Sequence, residues 1–175
     1  MKAKRIAIDG IMAALYVVLG YLSIDLGMMK ISFEEFPVIL VGLMMGPVDG
    51  MIVGGLGTFI FQIIRYGFSA TTVLWMLPYI ICGLVCGLFA VKYRYYNTNR
   101  QLWAIIIIAG ILTFAFNTLA IYVDSKVYGY YTPAYVWGAL GFRLIIMAAK
   151  IVVFGLLAMP ILKAMAKITG RKKYK

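Results

Sequence analysis

The sequence predicts an all-α membrane protein with six transmembrane helices and with its N and C termini in the cytoplasm. Of its 175 residues, 64% are hydrophobic and only 13% are charged, and the mean hydropathy is +0.95. A soluble domain is about half apolar and about a quarter charged. The charged residues sit in short clusters between apolar runs that are long enough to cross about 30 Å of hydrocarbon. By length, residues 1–175 form a single integral membrane domain.

The distribution of lysine and arginine predicts the orientation. Twelve of the 17 lie in the N-terminal lead, in the connection at 92–100 and at the C-terminal end. The opposite loops hold only Lys30, Arg65 and Lys126. Because loops rich in these residues stay in the cytoplasm, both termini are expected there, which requires an even number of spans. The net charge of +11 is therefore read as membrane topology, and no nucleic-acid partner is expected.

The first three helices are predicted from two features of the N-terminal third. Residues 6–24 form an apolar run behind a basic lead, too long for a secretory signal and without a clear cleavage site, so a retained helix is expected. Residues 33–59 hold two apolar runs separated by a Gly-Pro-x-Asp-Gly turn. Glycines recur there every four residues, a spacing that lets helices pack closely in a bilayer. The turn predicts a hairpin of the second and third helices.

The last three helices alternate with polar, aromatic loops at 65–75 and at about 124–135. Cys82 and Cys86 stand one turn apart on the fourth helix and are expected to be packing residues, since the chain has no histidine to complete a zinc or haem site. We therefore expect neither a metal nor a cofactor. The six predicted helices cover approximately residues 6–24, 35–46, 48–64, 76–91, 102–123 and 137–166.

Enzymatic signatures are not found in the sequence. Without histidine there is no histidine base and no H-E-x-x-H motif. The glycine-rich third helix lacks the G-K-[ST] ending of a P-loop. The only paired carboxylates, Glu34 and Glu35, are adjacent in sequence, so their side chains diverge in most backbones. We expect a binding or transport protein, and a small membrane enzyme remains the less favoured alternative.

A cluster of polar and aromatic residues is predicted at the outer ends of the helices. Asn117 and Arg143 each lie about 10 Å below the outer boundary. An arginine in a bilayer usually faces the interior or a cavity. Arg143 either meets a ligand carboxylate or pairs with Glu34 or Asp124. The aromatic residues suit stacking on a flat heteroaromatic ligand, although interfacial Tyr and Trp also form membrane belts. The candidate binding residues are Glu34, Trp75, Asn117, Tyr122, Tyr128, Tyr131, Trp137 and Arg143.

A stripe of small residues runs along the first predicted helix. Ala3, Ala7, Gly10 and Ala14 lie three or four residues apart and therefore share one face. Such a stripe is either an internal packing surface or a docking face for another membrane protein.

The segment FEEFPVILVGLMMGPVDGMIVGGLG, residues 33–57, resembles the substrate-binding S components of energy-coupling factor (ECF) vitamin transporters. An acidic-x-x-Pro entry, a G-x-x-x-G-P turn and a glycine-rich third helix recur in that family. Residues 117–131, NTLAIYVDSKVYGYY, followed by the arginine of GFRL, are similar to the folate-specific type, FolT. The resemblance covers nearly the whole chain.

This resemblance implies a subunit of the bacterial plasma membrane that binds folate with high affinity from outside and has no catalytic activity of its own. The pterin would stack among the loop aromatics, Asn117 would bond a polar edge, and Arg143 would meet a carboxylate or the pterin carbonyl. The loops at 65–75 and 125–136 would close over the ligand. The first helix would dock, through Gly10, Ala13 and Ala14, on the transmembrane coupling subunit EcfT, which the ATPases EcfA and EcfA′ drive.

Two positions depart from the folate-type pattern as we align it. Ala120 stands where tryptophan is frequent, and Thr58 stands where aspartate is frequent. Another vitamin, such as pantothenate, riboflavin or a queuosine precursor, therefore remains an alternative ligand.

Overall fold

A computed structural model describes residues 2–25, 30–93, 95 and 98–169. This part of the chain is almost entirely helical. It adds a two-stranded antiparallel hairpin after the first helix and a π-helical turn before the last one. The elements are α1 (Lys2–Tyr21), β1 (Ile24–Asp25), β2 (Lys30–Ile31), α2 (Glu35–Met45), α3 (Pro47–Tyr66), α4 (Thr72–Lys92), α5 (Asn99–Val127), the π turn (Ala134–Gly138) and α6 (Leu140–Thr169).

Four of these helical segments are long and apolar enough to cross a membrane: α3, α4, α5, and the π turn continued by α6. The helix α1 is as long as α3 but carries several charges in its N-terminal half. The helix α2 has only 11 residues, about 16 Å of rise, which is short for a span. The six-helix architecture is confirmed within the described residues, whereas six spans and cytoplasmic termini stay predictions.

Glycines bring α3 into direct backbone contact with α4. A Cβ atom at Gly50 would lie 2.6 Å from the carbonyl oxygen of Gly83, and one at Gly54 would meet the backbone of Tyr79. Both helices therefore approach more closely than any side chain allows, as the glycine spacing predicts. Cys82 and Cys86 are buried, at 1% and 0% exposure, and pack inside the bundle as expected.

The hairpin of α2 and α3 turns at Gly46, whose φ of 111° lies in a region that favours glycine. Pro47 then begins α3, at a helix position where its missing N–H costs nothing. Nearly every residue of α2 is buried, so the other helices surround it. This short central helix begins inside the bundle, and its first residues therefore reach the candidate site.

Candidate functional site

A cavity of about 560 Å³ lies between the helices, within the range of about 300–1,000 Å³ that is usual for small-molecule sites. Its wall is polar on several sides and apolar on others. All six helices or their immediate flanks contribute side chains to it. Examples are Tyr16 of α1, Glu35 of α2, Thr58 of α3, Tyr79 of α4, Asn117 of α5 and Arg143 of α6.

One wall of the cavity is a buried hydrogen-bonded cluster. The Tyr79 hydroxyl donates to Glu34 Oε1 at 2.7 Å. The Tyr16 ring meets the Tyr79 ring edge to face, with centroids 5.2 Å apart. The hydroxyls of Tyr16 and Thr58 are 2.9 Å apart, and Thr58 also donates to the Gly54 carbonyl at 2.7 Å. The cluster fixes two tyrosine rings and a carboxylate against the cavity.

A buried ion pair forms another part of the wall. Lys150 Nζ lies 3.0 Å from Glu35 Oε1, and the two side chains are 17% and 7% exposed. The ammonium also lies 5.9 Å from the centre of the Phe154 ring. Because Lys150 stands ten residues into α6, this pair places the start of α2 well inside the bundle. The two charges compensate each other, so this region is polar without a net charge.

Arg143 presents a guanidinium to the cavity wall. It donates to Thr118 Oγ1 at 3.2 Å and lies 5.5 Å from the centre of the Phe114 ring. Within the described residues no carboxylate forms an ion pair with it. The two partners weighed from the sequence are engaged elsewhere, Glu34 with Tyr79 and Asp124 at the loops. Arg143 thus keeps donors that a bound anion or carbonyl can use.

Asp124 connects two loops at one end of the cavity. Its carboxylate accepts hydrogen bonds from Trp75 Nε1 at 3.3 Å and from the hydroxyls of Thr71 and Tyr130. The Tyr128 hydroxyl accepts a bond from the Ala70 amide at 3.2 Å. Partial burial and, to a smaller extent, the hydrogen bond to Asp124 raise the pKa of Tyr130, so its hydroxyl stays a donor. These contacts link the loop after α3 to the loop after α5.

The family model for the substrate-specific component of ECF transporters matches residues 4–168. The chain belongs to this family. It is therefore a membrane protein and a substrate-binding subunit of an ECF transporter, and such components are transport subunits rather than enzymes. Membership implies a substrate and an energising module of EcfT and EcfA subunits as partners. No curated protein matches the chain.

The structure brings five of the eight predicted binding residues of this S component to one cavity. They are Glu34, Trp75, Asn117, Tyr128 and Arg143. The other three form a separate aromatic group that does not line the cavity. Tyr122 meets Tyr131 at 5.6 Å and Trp137 at 6.4 Å between ring centroids, and Lys126 Nζ lies 3.9 Å from the centre of the Tyr131 ring. A substrate role for these three stays a prediction.

Several residues that line the cavity of this S component were not among the binding residues predicted from the sequence. Thr58, Gln62 and Tyr66 stand four residues apart on α3 and all reach the wall. Their spacing was a usable signal, because polar residues at i, i+4 and i+8 share one helical face. The pairing of Lys150 with Glu35 gave no such signal, since 115 positions of sequence separate the two residues and only the fold brings them together.

The predicted docking residues of α1 do not share one environment. Gly10 and Ala14 are exposed, and a Cβ at Gly10 would meet nothing within 4 Å. Ala13 is only 5% exposed and faces the bundle. The exposed stripe consists of Ala3, Ala7, Gly10 and Ala14, so a docking proposal rests on Gly10 and Ala14 rather than on Ala13.

Proposed function

We propose that this S component binds folate from the extracellular side and delivers it through an ECF transporter in a bacterial plasma membrane. In this proposal the six helices all span the bilayer and both termini are cytoplasmic. The observation that carries the ligand proposal is the cavity of about 560 Å³ with Arg143 on its wall. That arginine forms no ion pair with a carboxylate in the described part of the chain.

The chemistry of the wall matches that of folate, which combines a flat heteroaromatic ring system with carboxylates. Trp75 and Tyr128 supply aromatic faces on which a pterin can stack. Asn117 offers both a donor and an acceptor to a polar ring edge. Arg143 supplies the planar, multiple N–H donors that recognise a carboxylate or a ring carbonyl. This division of roles supports folate over a purely apolar ligand.

The contacts between the two loops support a closed state in which the loops cover the bound ligand. Asp124 holds Thr71, Trp75 and Tyr130 together, and the Ala70 amide is bonded to Tyr128. In our proposal the loops of residues 65–75 and 125–136 part to admit folate and close over it. Closure excludes water and strengthens each polar contact to the ligand.

The transport step is proposed to use α1. Its exposed small residues, which include Gly10 and Ala14, form a smooth surface on which a helix of EcfT can pack closely. The glycine contacts between α3 and α4 hold the bundle together as a unit. We propose that the loaded subunit docks through α1 and reorients as one body in the bilayer while EcfA and EcfA′ hydrolyse ATP.

Titration of the purified protein in detergent tests the ligand. The chain has three tryptophans, at 75, 103 and 137, and only Trp75 lines the cavity. A variant with Trp103→Phe and Trp137→Phe therefore reports from the cavity alone. Calorimetric titration of this variant and of the wild type shows whether the loss of Trp137, a predicted binding residue, changes the affinity. We expect saturable quenching of Trp75 fluorescence at submicromolar folate.

The titration covers a panel of four ligands, which are folate, pantothenate, riboflavin and a queuosine precursor. A response to one of the other three, with none to folate, would retain the transport subunit and replace the ligand. If wild-type protein binds no member of the panel by calorimetry, the proposed substrate class is wrong.

A further inference from the structure

One threonine on the cavity wall has a hydroxyl with unused hydrogen-bonding capacity. Thr113 is 3% exposed and lines the cavity, and its Oγ1 has no hydrogen-bond partner within the described residues. Thr58 and Thr118 behave differently, because each donates to the carbonyl four residues earlier, at 2.7 and 2.8 Å. An unsatisfied buried hydroxyl lowers the stability of the folded protein. The unpartnered hydroxyl of Thr113 therefore lowers the stability of the ligand-free protein, because no carbonyl of α5 accepts a hydrogen bond from it.

The position of Thr113 follows from its helix neighbours. Gly110, Thr113 and Asn117 are spaced by three and four residues, so they share one face of α5, and all three line the cavity. A Cβ at Gly110 would lie 3.0 Å from the Ile151 side chain, so Gly110 of α5 and Ile151 of α6 lie at the same depth in the bundle. One turn outward along α5, Thr113 lies at a level between Lys150 and Arg143.

The charged residues near Thr113 determine which kind of ligand group can reach it. Inward of it, Lys150 and Glu35 neutralise each other at 3.0 Å. Outward of it, Arg143 forms no carboxylate ion pair in the described part of the chain. An anionic group that entered beyond Arg143 would lose its hydration, and Lys150 is already paired with Glu35. An uncharged group with a donor or an acceptor can enter, because it needs only a hydrogen bond.

We propose that Thr113 is a specificity-determining residue that hydrogen-bonds an uncharged polar group of the ligand, such as a ring nitrogen, a ring carbonyl or an amide. In a helix the threonine hydroxyl has two accessible χ1 positions, so it can turn toward a ligand in the cavity. The inference rests on the proposed substrate-binding function of the cavity. It adds a residue that the sequence pattern did not single out.

The test compares the hydroxyls of Thr113 and of Thr98, the N-cap residue of α5, by calorimetric folate titration and by thermal unfolding without ligand. Thr113→Val removes the unpartnered hydroxyl with little change of shape. It should raise the melting temperature of the ligand-free protein and weaken folate binding about threefold to tenfold, the usual worth of one hydrogen bond. Thr113→Ser keeps the hydroxyl and should bind nearly as the wild type does.

Thr98→Val is the control, because it makes the same substitution outside the cavity and outside both loops. The Thr98 hydroxyl caps α5 by accepting a hydrogen bond from the Gln101 amide at 3.4 Å, and Thr98 does not line the cavity. Its loss should lower the melting temperature and leave folate affinity unchanged. Opposite changes of stability and affinity in Thr113→Val are the signature of a group kept for its ligand.

Two results separate the possible failures. If wild-type protein binds folate and Thr113→Val binds it equally well, the inference about Thr113 is overturned while the proposed function stands. If wild-type protein binds neither folate nor the other vitamins of the panel, the proposed function falls and the inference falls with it. Should Thr113→Val fail to fold, Thr113→Ala must show the same loss of affinity, and unchanged affinity there also overturns the proposal.

Discussion

Lys150 of α6 and Glu35 of α2 form an ion pair of 3.0 Å between two largely buried side chains. Removal of one partner leaves the other charge buried without compensation, a loss of about 3–5 kcal/mol in comparable pairs. We therefore expect Lys150→Met and Glu35→Gln each to lower the melting temperature strongly. The double variant should recover much of the loss, because it buries no charge. Thermal unfolding of the four proteins in detergent measures the coupling, and additive losses would argue against it.

Arg143 is predicted to supply the main polar contact to the ligand. Loss of a hydrogen bond to a charged group costs about 1.5–3 kcal/mol, so Arg143→Ala should weaken folate binding by roughly 10- to 100-fold. Lys126→Ala removes a cation that packs on Tyr131 outside the cavity and should bind as wild type. Calorimetric titration compares them. Equal losses in both variants would indicate general electrostatic attraction instead of a specific contact.

Asp124 is predicted to control the rate of ligand exchange. Asp124→Asn keeps the size of the side chain but removes the charge that holds Thr71, Trp75 and Tyr130. The loops should separate more readily, so folate dissociation should accelerate about tenfold, the equivalent of one charge-assisted bond. Stopped-flow displacement of folate, followed by Trp75 fluorescence, gives this rate. An unchanged dissociation rate would mean that Asp124 serves only the folded structure.

The contact between α3 and α4 should not tolerate a single added methyl group at its centre. A Cβ at Gly83 would collide with the backbone at Gly50, so Gly83→Ala is expected to reduce the yield of folded protein severely. Gly141→Ala is the control, since that position on α6 is exposed and has open space around it. There, alanine should stabilise the helix by up to about 1 kcal/mol. Size-exclusion profiles and melting temperatures distinguish the two, and equal behaviour would contradict the close contact.

The exposed stripe of α1 is predicted to matter for assembly and not for ligand binding. Gly10→Leu combined with Ala14→Leu would roughen the surface without touching the cavity. Co-purification of EcfT and EcfA should be lost while folate affinity is retained. Ile145→Trp on α6, where Ile145 is 66% exposed, is a control that should preserve both. Retained co-purification of the leucine variant would place the docking face elsewhere.

The sequence predicted the parts of the fold that depend on local pattern. The apolar runs located six helices, and the spacing of Gly50 and Gly54 predicted the close approach that the structure shows. Asn117 and Arg143 could be selected because polar side chains within apolar helices usually face inward. Each of these signals is contained within one or two turns of helix.

Features that depend on distant contacts could not be predicted in this way. Nothing near Lys150 indicates Glu35, and the unpartnered hydroxyl of Thr113 is visible only when its neighbours are in place. The short hairpin of β1 and β2 follows a helix that was expected to continue to residue 24. The aromatic residues illustrate the same limit, since Tyr128 lines the cavity and Tyr131 does not, although both belong to one loop.

The short, enclosed helix α2 has a consequence for the biosynthesis of this protein. A segment needs about 20 apolar residues to enter a bilayer by itself, and α2 has 11. Its insertion therefore depends on the α3 segment, which follows directly after Gly46 and is long enough to span. We expect residues 35–66 to leave the translocon together as a helical hairpin. The cavity wall at Glu35 can then form only after Lys150, synthesised more than a hundred residues later, has entered the membrane.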